Sequence, residues 1–197
     1  MSTALPSAAA GRRERNKLAK LERITAAASE LFAEHGVDEV TTQQIAERAD
    51  IGTGTLFLYA RTKSELLLLV QNAHYAEALE RGRAAAADAG TALDAVLSLV
   101  APVVACNRAN VGNGRVYLRE MVFGDPAEPH HAEARSIVGR SEEAIAEILE
   151  RHRVPTAATL AGIVSAVVFV TLAGSDEPEV AALLPPIRAQ LAAILPA

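Results

Sequence analysis

The stretch from Thr41 to Lys63, T-T-Q-Q-I-A-E-R-A-D-I-G-T-G-T-L-F-L-Y-A-R-T-K, constrains the fold more tightly than any other part of the chain, because two short helical patterns meet in it across a turn. Thr41 can cap a helix by accepting from the backbone N–H of Gln44, whose side chain can reach back in a reciprocal capping box, and Val40 can pack beside it as a staple. Ile45, Ala46 and Ala49 give one apolar face at helical spacing, with Gln43, Glu47 and Arg48 elsewhere; this helix ends near Asp50. Gly52 and Gly54 bracket a restart, and Leu56 with Ala60 supplies the inward face of a second helix of about two turns. Its other face is Thr53, Thr55, Phe57, Leu58 and Tyr59. A globular helix normally exposes charged groups there, so hydroxyls and large apolar groups on the outside need a partner. In a DNA major groove threonine can bond base edges or phosphates, and apolar groups can touch the thymine methyl. A short helix buried between longer ones would have the same composition.

From Ile24 to about Val70 the chain resembles the TetR family of one-component transcriptional regulators, through I-x-x-A-A-x-E-L-F-A-E-H-G, T-T-x-x-I-A-E-R-A and G-T-L-F-x-Y-x-x-x-K. Two positions depart from the family pattern: Asp50 stands where glycine is usual, and Phe57 where tyrosine is usual. Asp tolerates a left-handed backbone better than most residues, so the turn survives; the missing hydroxyl at Phe57 removes one possible hydrogen bond to DNA. Position by position, the resemblance implies Thr42 and Lys63 at helix starts facing phosphates, Gln43 and Thr55 toward base edges, and Phe57, Leu58 and Tyr59 along the groove beside Thr53. Leu56 and Ala60 are then core.

The net charge of −5 would argue against nucleic acid if it were spread evenly. It is not: residues 1–65 hold nine Lys/Arg and nine Asp/Glu, and residues 66–197 hold ten and fifteen. Arg12, Arg13, Arg15, Lys17, Lys20 and Arg23 against Glu14 and Glu22 make a local basic arm suited to phosphate attraction or minor-groove entry. With half its 197 residues apolar the chain can bury a core, and its single cysteine, Cys106, permits no internal disulfide, which suits a reducing cytoplasm. The basic residues near the start follow the weakly apolar ones, the reverse of a secretory signal, so the expected location is cytoplasmic.

Helical periodicity continues throughout and predicts an all-α chain of about nine helices. The expected organisation is a basic, partly disordered arm over 1–17, a helix-turn-helix domain over 18–65, and a helical regulatory and dimerisation domain over 66–197. The first helix should run from Leu18 to His35 and stop at Gly36, and another should open at Lys63 and continue toward Ala87. Thr91 to Asn110 follows with Pro102 inside it, a position that usually kinks a helix. Gly112 and Gly114 then break the chain before a short helix over Val116 to Phe123. His131 to His152, Thr156 to Ala173 and Pro178 to Leu195 complete the pattern.

The segment Val154 to Gly174 carries no charge and is long enough to consider as a membrane span. Its proline, five alanines, two glycines, three threonines and serine make it only moderately apolar, which fits a helix buried in a bundle and no membrane association. With the segment after it, it matches the paired C-terminal helices through which TetR-like proteins dimerise. Leu160, Ile163, Val164, Val167 and Val168, with Leu183, Ile187 and Leu191, recur at three and four residues and are the expected homodimer contacts.

Adjacent His130 and His131 do not converge on one point of a helix and read as a surface turn, so no metal is expected. No glycine-rich phosphate loop, G-x-S-x-G or H-E-x-x-H occurs, so neither a cofactor nor an enzyme is expected. Asn107, Asn110, Tyr117, Arg119, Glu120 and Phe123 interrupt or flank otherwise apolar helices. Buried polar groups must be satisfied, by a ligand or equally by a helix-to-helix hydrogen bond. The resemblance implies a small-molecule pocket in the second domain, and the scarcity of charge there points to a largely apolar effector. The expectation is therefore a homodimeric regulator that binds a pseudopalindromic DNA operator and is released by that effector. A DNA-binding regulator without an effector and a membrane-anchored adaptor are its alternatives.

Overall fold

The computed structural model describes residues 8–196, with side chains from Gly11 onward. Nine helices and no strand occur among them: α1 Ala8–Glu39, α2 Thr42–Arg48, α3 Thr53–Leu56, α4 Lys63–Ala86, α5 Ala92–Arg108, α6 Val111–Phe123, α7 Pro129–Arg151, α8 Ala157–Ala173 and α9 Val180–Ala192. The chain divides into two compact units, residues 1–67 and 68–197.

In the first unit α1 is ten residues longer at its start than periodicity predicts. Residues 8–17, read as part of a partly disordered arm, are helical; residues 1–7 of that arm lie outside the described residues. Eight of residues 8–17 are alanine, arginine, glutamate or lysine, which rank high in helix propensity, so a helix anchored further on extends backward through them despite Gly11 and Asn16. Gly36, with φ 76° and ψ 158°, breaks α1 where the sequence places its stop. Ile24, Ala28, Leu31 and Phe32 of α1 are buried, as are Ile45 and Ala46 of α2 and Leu56 of α3, so the three helices share one core.

In the second unit α5 is central and packs on α6, α7, α8 and α9, while α7 and α8 form the most extensive helix pair. The core gathers Leu93, Val96, Leu99, Val100 and Val104 of α5 with Ile145, Ile148 and Leu149 of α7, Val164, Val168 and Leu172 of α8, and Leu183, Ile187 and Leu191 of α9. α5 runs as one helix through Pro102. The break expected at Gly112 and Gly114 falls earlier, at Ala109 and Asn110, where α5 and α6 meet at 111°. Asn110 caps α6 by accepting from Asn113 N at 3.0 Å, which starts the helix before the glycines. Among the described residues no single helix is long and apolar enough to cross a membrane. α8 is 17 residues long, and Ala157, Ala161, Val164, Val168 and Leu172 bury one side of it.

Candidate nucleic-acid interface and effector cavity

The reading head is built as its sequence dictates. Thr41 Oγ1 accepts from Gln44 N at 3.2 Å and Gln44 Oε1 accepts from Thr41 N at 2.8 Å, closing the capping box. The turn between α2 and α3 holds Asp50 at φ 52°, the left-handed conformation that Asp tolerates. Asp50 is bound from α1 by Arg23, whose Nη1 lies 3.4 Å from both the backbone oxygen and Oδ2 of Asp50. α3 is a single turn, shorter than the two turns expected, and Phe57 caps its C-terminal end. Leu56 and Ala60 are buried, whereas Phe57 is 45% and Leu58 83% exposed.

The other predicted contacts lie on or beside this surface. Gln43 is exposed and donates to Glu47 at 2.9 Å. Thr42, Thr53, Thr55 and Tyr59 are half-buried, and Tyr59 donates to the Lys17 backbone oxygen at 3.3 Å. Lys63, the first residue of α4, donates to the Asp38 backbone oxygen at 2.9 Å. One of the three ammonium donors is thereby used, which positions the cation at the helix start.

The second unit contains a partly open cavity of about 110 Å³. Its walls come from five helices: Tyr75 of α4; Leu99, Val100 and Val103 of α5; Tyr117, Leu118 and Met121 of α6; Ile137, Val138, Ser141 and Ile145 of α7; and Ser165, Val168, Phe169 and Leu172 of α8. No wall residue carries a formal charge. Tyr75 and Tyr117 stack with ring centroids 4.3 Å apart, and burial raises the pKa of both phenols above the ordinary value.

Behind the stack runs a polar chain. Asn107 donates to Tyr75 OH at 2.7 Å and to the Gly114 backbone oxygen at 3.2 Å. Arg108 donates to Asn107 Oδ1 at 2.6 Å and to the backbone oxygens of Leu172 and Ser175 at the end of α8. On the other side Tyr117 donates to Asn72 Oδ1 at 2.9 Å, and Asn72 donates to the His130 backbone oxygen at 2.9 Å. These groups tie helices together.

Residues 24–70 match the model of the bacterial regulatory proteins of the tetR family. The match covers the helix-turn-helix and the start of α4. The whole chain is similar in fold to Thermus thermophilus FadR, described as a TetR-family transcriptional repressor in complex with lauroyl-CoA (TM-score 0.67, 23% identity, covering 90% of this chain and 96% of that one). It is also similar to a putative transcriptional regulator from Rhodococcus sp. RHA1 (TM-score 0.65, 19% identity, 87% and 95%). A third similar structure is the fatty acid degradation regulator FadR from Bacillus halodurans (TM-score 0.61, 16% identity, 87% and 94%). Among curated proteins none matches by sequence. The chain thus combines a helix-turn-helix that matches the family model with the fold of these regulators.

Within this TetR-type fold, several residues singled out from sequence take other places. Of the five proposed ligand residues only Tyr117 lines the cavity. Asn107 is a buried link between helices and Asn110 a helix cap. Arg119 is exposed beside Glu120, and Phe123 is 82% exposed at the end of α6. Val164, Val168, Leu183, Ile187 and Leu191, expected to meet a second subunit, are buried in the chain's own core. Leu160 and Val167 are half-buried and Ile163 is 42% exposed. The apolar spacing was that of the inward faces, which pack on α5 and α7. His131 is not on a surface turn: it is 2% exposed in the first turn of α7, against Gly124. No group of three His, Cys, Asp or Glu able to hold a metal occurs among the described residues.

Tyr75, Val103, Met121, Ser141, Ser165 and Phe169 of the cavity wall were missed. Each looks like ordinary helix core in its local sequence, and only the packing of five helices leaves space between them.

Proposed function

We propose that the chain is a homodimeric repressor, located in the cytoplasm, that leaves its operator when a small, uncharged, largely apolar ligand enters the second-unit cavity. The observation that carries this reading is the cavity itself, lined by five helices and free of charged wall residues. An apolar cavity of about 150 Å³ takes up benzene, so about 110 Å³ receives a short aliphatic or small aromatic group before any wall moves. The lauroyl-CoA complex of the similar Thermus thermophilus repressor supports an acyl-type occupant. The Tyr75–Tyr117 stack joins α4 to α6 at the wall, and α4 begins at Lys63 in the reading head. A ligand that parts the rings therefore acts on the helix that starts beside DNA. Its effect is bounded by its differential affinity for the two states of the protein.

The dimer contact proposed is the outward stripe of α8, Thr159, Ile163, Ala166 and Val170, with Ala182, Pro186, Ala189 and Ala193 of α9. Val170 is 66% exposed, and two such helix pairs around a two-fold axis make a four-helix interface. Binding of two heads to successive major grooves requires them about 34 Å apart.

The test begins with a duplex selected from random oligonucleotides by the full-length protein. A panel of short-chain alcohols, acyl esters and small neutral aromatic compounds is then screened by thermal shift, since a ligand of the folded state raises its stability. A compound that raises the Tm should weaken duplex binding, and the duplex should weaken binding of the compound by the same factor. Ser165→Leu, which fills the cavity, should remove the shift while retaining the duplex. Equal ligand affinities with and without duplex, measured by calorimetry, would overturn ligand release.

A further inference from the structure

We propose that the start of α1 is a second DNA-contacting element, a rigid basic stripe that lies along phosphates flanking the bases read by α3. The inference rests on the DNA-binding reading and extends the contact surface beyond the residues described above. Every residue from Arg12 to Lys20 is exposed, so this length of helix buries little of its surface in its own chain. Helices in proteins draw most of their stability from a packed face. This one propagates from the buried part of α1, which begins at Ile24, and presents its whole circumference outward.

The charge on that circumference is sorted. Arg12, Asn16, Lys20 and Arg23 follow one another at four, four and three residues and form a single line, with Arg13 and Lys17 beside it. Glu14, Leu18 and Leu21 occupy the opposite side, and Arg15 lies beside Glu22 at its edge. Two contacts orient the line. Arg23 reaches Asp50 in the turn that precedes α3, and Tyr59, just after α3, donates to the backbone oxygen of Lys17. The stripe therefore begins next to the reading surface and runs away from it.

Its length from Arg12 to Arg23 is about 17 Å at the helical rise, equal to about five base pairs of duplex. A helix is about 10–12 Å across, too wide for a minor groove of about 6 Å. This excludes the minor-groove entry open to a flexible arm and leaves the phosphate backbone as the partner. Arg23 also meets the 98% exposed carboxylate of Asp50, a negative charge that would otherwise face the phosphates.

The test uses the full-length protein and the selected duplex in two forms, one trimmed to its consensus and one carrying flanks of about seven base pairs on each side, longer than the stripe's reach. The variant replaces Arg12, Arg13, Lys17 and Lys20 together by Gln, which preserves helix propensity, and its far-ultraviolet circular dichroism and Tm are compared with wild type. Each cation on a phosphate contributes about 0.9 to the slope of log affinity against log salt. On the long duplex the variant should show a slope shallower by up to about 3.6 per seated protomer and bind at least tenfold more weakly at low salt. On the trimmed duplex the two proteins should have the same slope. A second variant with Arg12→Lys and Arg13→Lys should behave as wild type, which separates loss of charge from loss of helix. Equal slopes on the long duplex would overturn the stripe while leaving DNA binding by α3 intact. Failure of the wild-type protein to select any duplex would instead overturn the reading on which the stripe rests.

Discussion

In residues 1–67 the predicted functional side chains lie within one continuous run from Thr42 to Lys63, whereas in residues 68–197 the cavity draws on side chains from Tyr75 to Leu172. The first surface is made by pointing residues outward from two short helices and a turn. The second is made by what five helices leave unfilled. The contrast shows in how each unit uses polar groups. In the head, half-buried threonines and an exposed glutamine sit at or near the surface, within reach of a partner. In the second unit Asn72, Asn107 and Arg108 are buried; Asn107 bonds Arg108 and Tyr75, and Asn72 bonds Tyr117. A polar residue that interrupts an apolar helix marks a link between helices here, and the ligand space lies beside it.

The contrast can be broken most forcefully at glycine. A Cβ on Gly82 would lie 2.2 Å from the Leu99 backbone oxygen, where α4 and α5 approach most closely. Gly82→Ala should therefore cost about 3 kcal/mol in urea unfolding. Gly54→Ala in the head, with nothing within 4 Å of the added carbon, should change stability by less than about 1 kcal/mol. Equal losses from the two substitutions would mean that α4 and α5 do not cross as described.

Asn107→Ala removes the group shared by Tyr75, Arg108 and the Gly114 backbone, and should destabilise by about 2 kcal/mol because buried partners are left unsatisfied. A loss below about 0.5 kcal/mol would place Asn107 outside the structural network and return it to the ligand.

In the head the effects should fall on DNA rather than on folding. Thr55→Val should leave unfolding within about 0.5 kcal/mol of wild type and reduce discrimination at one base by about 1–3 kcal/mol in competition binding. Lys63→Ala should weaken binding to all sequences and lower the salt slope by about one. A changed base preference with an intact salt slope would show that Lys63 does not face a phosphate.

The smallest effect concerns Cys106, half-buried near the tyrosine stack. Burial pushes its thiol up to about 11 from 9.0. The folded state therefore favours the protonated form, and the stability this gives is present below pH 9 and lost as pH rises through about 11. Alkylation of the native protein at pH 8 should be at least about tenfold slower than that of the unfolded chain. Comparable rates would mean that the tyrosine face of the cavity is open to solvent.

The extent to which each region could be read from sequence follows from how it is built. The capping box at Thr41, the restart after Gly52 and the stop at Gly36 each depend on residues a few positions apart, and all three stand in the structure where the sequence places them. The start of α1 was misplaced because a solvated basic stretch has the same composition whether helical or not. Val164, Val168, Leu183, Ile187 and Leu191, expected at a dimer contact, lie in the chain's own core, because periodicity identifies an apolar face without saying what covers it. Here α5 and α7 cover Val164, Val168, Ile187 and Leu191, which leaves the weaker stripe through Ile163 and Val170 outside.

The sequence by itself determined the helical class, the reading head and the identity of its outward residues, because 3.6-residue periodicity and capping chemistry act over one or two turns. Tertiary structure alone decided where the cavity lies, which asparagines are links, and which face of α8 is free. Those properties depend on helix crossings between residues separated by tens of positions, such as Gly82 against Leu99 and Arg108 against Leu172. Close packing fixes such crossings jointly, through every side chain at the contact, and no single segment carries the information.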